Sequence, residues 1–298
     1  NVAIGSYSLT ANTTGSSNVA IGRSSLEANT TADNNTAVGK HALLVNTTGT
    51  QNVAVGALAL DANTASSNTG LGYASLTANT TGAENTAIGK SSMAVNTTGS
   101  YNVALGVNAL DANTTANRGT AIGFKSLTSN TTGAENTAVG YHSMHNSTTG
   151  NRNVAVGDVA LDANTTGDDN TAIGQGAMGA NTTGAQNVAV GQSALDAGTS
   201  ASFNTAVGYG AMTNCTESYQ SAFGHTALAA LTTGTRNNAF GAFSLDANTT
   251  GSNNTAMGYA ALGANTTGTD NTAVGDNVLA ANTTGTDNTA VGRNALDA

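Results

Sequence analysis

Two histidines three residues apart, His142 and His145 in YHSMH, are the nearest this chain comes to a metal-ligand pair, and Cys215 is the one cysteine in 298 residues. Zinc needs three or four converging nitrogen or sulfur ligands. Cys215 lies about 70 residues beyond the pair, and His41 and His225 stand alone. The histidines are therefore read as exposed and solvated. Carboxylates in turns, Asp168-Asp169, Asp270 and Asp287, are too few for calcium, which takes six to eight oxygens, and the glycine-rich nonapeptide of calcium-binding rolls is absent. No Ser-His-Asp or Cys-His grouping recurs. The glycines occur singly rather than as a phosphate-cradling GxGxxG or GxxxxGK[ST]. The chain is read as not an enzyme, with no metal and no cofactor. Cys215 cannot close an internal disulfide and reads as a small buried residue. One covalent chemistry remains. The turns carry N-x-[ST] in fourteen repeats, including Asn12, Asn29, Asn46, Asn79, Asn96, Asn113 and Asn282. In an N-glycosylating organism these would be glycan acceptors, although Asn-Thr-Thr is also good turn chemistry.

What positions these residues is a repeat. Near-copies of NTAVG start at 1, 18, 35, 52, 68, 85, 102, 119, 136, 153, 170, 187, 204, 220, 237, 254, 271 and 288, so fifteen of seventeen intervals are 17 residues and the two beginning at Asn52 and Asn204 are 16. The pattern reads N-[TV]-A-[VIL]-G-x-x-[AS]-L-x-A-N-T-T-G-x-x, and residues 1–298 are taken as a single repeat array. A fixed short period means stacked units, none of which buries its apolar face alone.

Within one repeat, positions 2 to 4 read as a strand. Position 2 is mostly Thr or Val, and both are β-branched. Position 4 is apolar throughout, and Ile4, Ile21, Val38 and Val55 are expected to form one core column. Position 3 is Ala in every repeat except Gly70. Its small residues, on the opposite strand face, are expected to form an association surface. Position 5 is always Gly, beginning with Gly5, Gly22, Gly39 and Gly56. Such a column needs either φ > 0 or close approach of another backbone. Position 9 is always Leu or Met and supplies the second core column, Leu9, Leu26, Leu43 and Leu60. The segment around it, such as SYSLTA at 6–11, alternates at Leu9 and Ala11 and is read as a second strand, with one helical turn as the alternative, and Asn-Thr-Thr-Gly closes the coil as a turn. Stacked Asn at positions 1 and 12 can satisfy one another's amides along the stack. Asp at position 10 (Asp61, Asp111, Asp162, Asp196, Asp246, Asp297) recurs mostly near every third repeat, as block duplication or a superhelical face would produce. The expected fold is all-β, a parallel β-solenoid or β-roll of about eighteen 17-residue coils.

Charged residues make up 8% of the chain and the net charge is −9. No basic stripe exists to hold nucleic acid, and no apolar run is long enough to insert in a membrane. No signal peptide is seen, and both ends fall inside the repeat, as expected for a segment of a longer protein.

N-[TV]-A-[VI]-G resembles the head repeats of YadA-like trimeric autotransporter adhesins. With its NTTG turn, the whole chain is also similar to the NTAVGxxALxxNTTG arrays of phage tail fibres, although adhesin head repeats are shorter. The resemblance implies a left-handed roll, a homotrimer, an extracellular place on a cell surface or virion appendage, and attachment to a host-surface protein or glycan. Two alternatives stand beside this reading: a filament subunit stacking end to end through its coil ends, and an ice-binding solenoid using Thr ladders. Against the latter, adjacent Thr13 and Thr14 would point opposite ways in a strand.

Overall fold

The computed structural model describes residues 1–297. It separates into two compact units, unit 1 from Asn1 to Arg152 and unit 2 from Asn153 onward. Each unit is a stack of nine coils. Every coil contributes one strand of three residues, from β1 (Val2–Ile4) to β9 (Thr137–Val139) in unit 1 and from β10 (Val154–Val156) to β18 (Thr289–Val291) in unit 2. Successive strands pair in parallel and in strict register, Val2 on Val19 and Ala3 on Ala20, then Thr171 on Val188 and Ala172 on Ala189. The register holds across the 16-residue coils, where Val53 pairs Thr69 and Thr205 pairs Ser221. The deletion falls in the turn: Asn63 bonds the carbonyl two residues on, whereas Asn79 bonds the carbonyl three residues on. The chain is thus all-β, a parallel β-solenoid, with no helix among the described residues.

Gly at position 5 ends each strand because of both constraints at once. Gly5 has φ +129, and a Cβ there would lie 2.6 Å from the carbonyl oxygen of Gly22 in the next coil. An L side chain would meet backbone and an unfavourable dihedral together.

The second segment is not a strand. Ser8 N–H donates to Gly5 O and Asn12 N–H to Leu9 O, so two four-residue turns follow each other. Residues at position 7, such as His41, and at position 9, such as Leu43, have φ of 60 and 52. This left-handed conformation costs about 1–2 kcal/mol for a side chain with a Cβ. It still lets the chain bond the next coil, because Leu9 N–H donates to Ser25 O and Ala11 N–H to Glu27 O. The cost at position 9 is offset by enclosing Leu or Met, worth about 1.5–3 kcal/mol per side chain. Position 9 never carries Val or Ile, the residues for which a positive φ is most strained.

Inside and outside are also exchanged on the strand. Ala20, Ala37, Ala54 and Ala87 at position 3 are fully buried, with Leu26, Leu43, Leu60 and Leu76. Position 4 faces outward: Ile4 is 58% exposed, and Ile21, Val38 and Val55 are half-buried, so these four do not form an inner core column. The reason is width. At Gly70, the one glycine of column 3, a Cβ would already lie 3.0 Å from Ser75 Oγ and 3.2 Å from Leu60 Cγ. Nothing larger than Ala fits there, so the branched residues take the other face of the strand. The Ala column is consequently no association surface.

Candidate functional site in the outward columns

The inner polar columns are built first, because they decide what is left outside. Asn29 Nδ2 donates to Asn12 Oδ1 of the preceding coil at 2.8 Å and to Ala32 O of its own turn at 3.2 Å. Asn35 N–H donates to Asn18 Oδ1 at 2.9 Å, and Asn35 Nδ2 to Gly49 O at 2.9 Å. These amides hold the turn shut and chain coil to coil, which satisfies polar groups inside a narrow apolar tube. Gln220 fills the position-1 role, since its Oε1 accepts Asn237 N–H and its Nε2 donates to Gly234 O. The position-12 asparagines with sequon spacing are therefore poor glycan acceptors. Asn29, Asn46, Asn79, Asn96 and Asn113 are buried with their amides engaged, while Asn12 in the first coil and Asn282 near the other end are half-exposed. A glycan on the other five has no room in the folded coil.

The outward strand face is uncharged. Columns 2 and 4 hold no Lys, Arg, Asp or Glu in any of the eighteen coils. In unit 1 this face exposes Val53, Leu71, Val103 and Leu105, and in unit 2 Val156, Ile173, Val188 and Met257. Unit 2 adds aromatic stacks on and beside the coils of β13 (Thr205–Val207), β14 (Ser221–Phe223) and β15 (Asn238–Phe240). Phe223 stacks on Phe240 with centroids 4.9 Å apart and planes 7° apart. Phe203 stacks on Tyr219 at position 17, and Tyr209 on His225 at position 6.

The titratable residues do not converge on a centre. His142 and His145 stack on each other with centroids 4.5 Å apart, and Tyr141 stacks on His142. The described residues contain no group of three or more His, Cys, Asp or Glu able to hold a metal. Cys215 occupies the Asn column, fully buried, and burial pushes its thiol up to about 11. Burial also raises the carboxyls of Asp61, Asp111, Asp196 and Asp246 above the usual range. Asp111 accepts a backbone N–H from Ala94 and Asp196 one from Gly179, each in the preceding coil. These two carboxylates meet a backbone N–H of the preceding coil, whereas Asp61 Oδ1 is buried without a hydrogen-bond partner, so the aspartates of column 10 do not share one role. Among the described residues no helix is long and apolar enough to cross a membrane.

The Thr edge departs from expectation. Positions 13 and 14 lie in a turn, not a strand, and column 14 is exposed throughout while column 13 is half-exposed or exposed. Thr13 Oγ1 donates to Thr30 O at 3.0 Å and Thr97 Oγ1 to Thr114 O at 3.0 Å, which fixes the rotamers of column 13.

Searches for a matching family model, for a similar curated protein and for a similar solved structure find no match.

Proposed function

We propose that this chain is a structural segment of an extracellular fibre, the stalk or head of a fibrous adhesin or a tail fibre, whose copies associate side by side and which serves attachment to a surface. The observation that carries this reading is the outward strand face. It is free of charge in every coil and carries an unbroken apolar column at position 4 beside a column 2 mostly of Thr and Val, on a chain that spends its few charged residues elsewhere. Contiguous exposed apolar surface of this kind marks a protein contact, and the absence of charge keeps like charges from facing each other within the contact between copies that each carry −9. Continuous backbone ladders supply stiffness, and weak contacts repeated along a stack add by avidity. The test is mass by light scattering. A discrete threefold mass that Val190→Lys reduces to a single chain supports the reading, because Val190 is outward and the substitution leaves the inner columns alone. A single-chain mass for the unaltered protein at all concentrations overturns side-by-side association. Fibres of open-ended mass would place the contact at the coil ends instead.

One observation favours a second reading, ice binding. Column 13 is Thr in every complete turn, and with column 14 it forms a double row of outward Thr at the coil step of about 4.8 Å. Inhibition of ice recrystallisation that is lost on Thr98→Lys would support it, and inactivity of the unaltered chain would end it.

A further inference from the structure

A strip made of identical coils has a defect as an interface. Two copies shifted along the stack by one coil meet almost the same surface, so apolar contact alone leaves the axial register open, as it does for any featureless repetitive strand surface. In unit 2 the strip stops being featureless. Column 4 is Val or Ile on β10, β11 (Thr171–Ile173), β12 (Val188–Val190) and β13, then Phe223, Phe240 and Met257 on β14 to β16 (Thr255–Met257), then Val again. Column 2 changes at the same level, with Ser221 and Asn238 replacing the usual Thr or Val. The rings are stiff: Phe223 and Phe240 are nearly parallel, 37–38% exposed, and held against each other.

We propose that this aromatic block is a register key whose occupant is a second copy of this chain, parallel and aligned coil for coil. The proposal rests on the side-by-side association put forward above. In the threefold assembly proposed above the contact is heterologous and joins two different patches, which sets column 4 of one copy against column 2 of its neighbour. Only the aligned copy sets Phe223 against the reduced Ser221. A copy displaced by one coil sets Phe223 against Thr205 with Phe240 on Ser221, or Phe223 against Asn238 with Phe240 on Thr255, so in either direction one ring meets a branched Thr, whereas the aligned copy gives both rings a reduced partner, Ser221 and Asn238. The surface is large enough for a second copy. Six of the nine outward column-4 residues of unit 2 are exposed, from Val156 at 37% to Val291 at 70%, and with column 2 beside them they offer a surface on the scale of the about 800 Å² per partner in a standard interface. No charged residue interrupts columns 2 and 4 there.

The experiment pairs cysteine variants on the outward face of unit 2. One chain carries Ile173→Cys in column 4. Its partner carries Thr171→Cys in column 2 of the same coil, or Thr205→Cys two coils away, about 10 Å along the stack and outside disulfide reach. Cys215 stays in place, being buried. Each pair is unfolded, refolded together, oxidised and weighed. The expected result is a cross-linked product with Thr171→Cys and none with Thr205→Cys. In a Phe223→Val, Phe240→Val background, which restores the common residue of column 4 and leaves the interior intact, the oligomer mass should persist while the Thr205→Cys product appears. If that background still gives the Thr171→Cys product alone, the aromatic block does not set register and the proposal is overturned. If the unaltered chain scatters as a single copy, association itself fails, and the mass separates that failure from the first.

Discussion

The asparagine column of unit 1 and that of unit 2 solve the same problem differently. From Asn63 to Asn113 the ladder is unbroken, each Nδ2 reaching the Oδ1 before it: Asn79 to Asn63 at 2.6 Å, Asn96 to Asn79 at 2.7 Å and Asn113 to Asn96 at 2.7 Å. In unit 2 three consecutive coils abandon it, with Gly198, Cys215 and Leu231 in the same column, and all three are buried. Among the described residues three amide oxygens of this column are buried without a partner, two at the breaks and one, Asn46 Oδ1, beside the shortened coil that carries Asn63. Asn181 Oδ1, just before Gly198, is buried with no hydrogen bond, and so is Asn130 Oδ1, whose neighbour in the column is Ser147. Where the run stops, its last carbonyl is stranded, and beyond that point apolar residues fill the tube better than isolated amides would. This explains why the replacements come as a block.

The largest test of this difference is a pair of exchanges. Asn96→Leu removes the donor to Asn79 Oδ1 and the acceptor of Asn113 Nδ2. With a buried unsatisfied group costing about 1–3 kcal/mol, the expected loss is about 2–5 kcal/mol in denaturant unfolding. Leu231→Asn, in the interrupted column, offers an acceptor to Asn248 and a donor to its own turn, so the expected change is within about 1.5 kcal/mol, a lost apolar contact against gained hydrogen bonds. Equal losses for the two would show that the amides are not coupled along the column.

A smaller effect in the opposite direction is expected where the ladder can be extended. Ser147→Asn places a donor beside the stranded Asn130 Oδ1. It should stabilise unit 1 by about 1 kcal/mol, the net worth of a typical hydrogen bond. An unchanged or lower midpoint would mean that Asn130 Oδ1 is not the cost at this break.

Much of the fold can be read from the repeat alone, since the 17-residue period, the parallel stacking, the glycine corner and the amide ladders follow from columns that never vary. Two features do not come out of alternation. A strand of three residues has an inner and an outer face, and hydrophobicity chose the wrong one: Ile21 and Val38 outweigh Ala20 and Ala37 in apolar area, but the tube is too narrow to take them. The turn at positions 6 to 11 was mistaken for a strand because Leu9 and Ala11 alternate. Its signal was a restriction rather than a periodicity, namely Leu or Met at position 9 and never Val or Ile, on a chain that uses Val and Ile freely at position 4. The outward strip and its aromatic block became legible as a candidate site only once the faces were assigned.

The thiol in the broken column reports on how tightly the apolar filling closes. Cys215 is fully buried, its Sγ donates to Glu217 O at 3.3 Å, and its ionisation is pushed up to about 11. Alkylation requires the exposed thiolate, so at neutral pH the folded chain should react at least about a hundredfold more slowly than the chain in denaturant. Since reaction of a buried group follows local opening, adding Leu231→Ala should speed it, while Leu43→Ala in unit 1 should not. Rapid alkylation of the native chain would mean that the interrupted stretch is poorly closed.

The smallest expected effect treats the two units alike and so marks the limit of the contrast. Asp61 and Asp111 in unit 1 and Asp196 and Asp246 in unit 2 all have carboxyls raised above 3.8, with burial as the largest cause. A raised folded-state value means that the fold binds the proton more readily than the unfolded chain does. Above that raised value the charged, partly desolvated carboxylate penalises the fold. As pH falls through it toward 3.8, the folded state takes up the proton first and the penalty is relieved. Stability should therefore rise on mild acidification, and the falling net negative charge acts in the same direction. Asp→Asn at all four positions keeps an acceptor oxygen for the backbone N–H groups that Asp111 and Asp196 cap, and it should flatten most of the rise in Tm between neutral pH and about 4. A Tm that drops on acidification, equally with and without the four substitutions, would show that these carboxyls are solvated as ordinary surface groups, and that Asp111 and Asp196 cap their N–H groups without sensing burial.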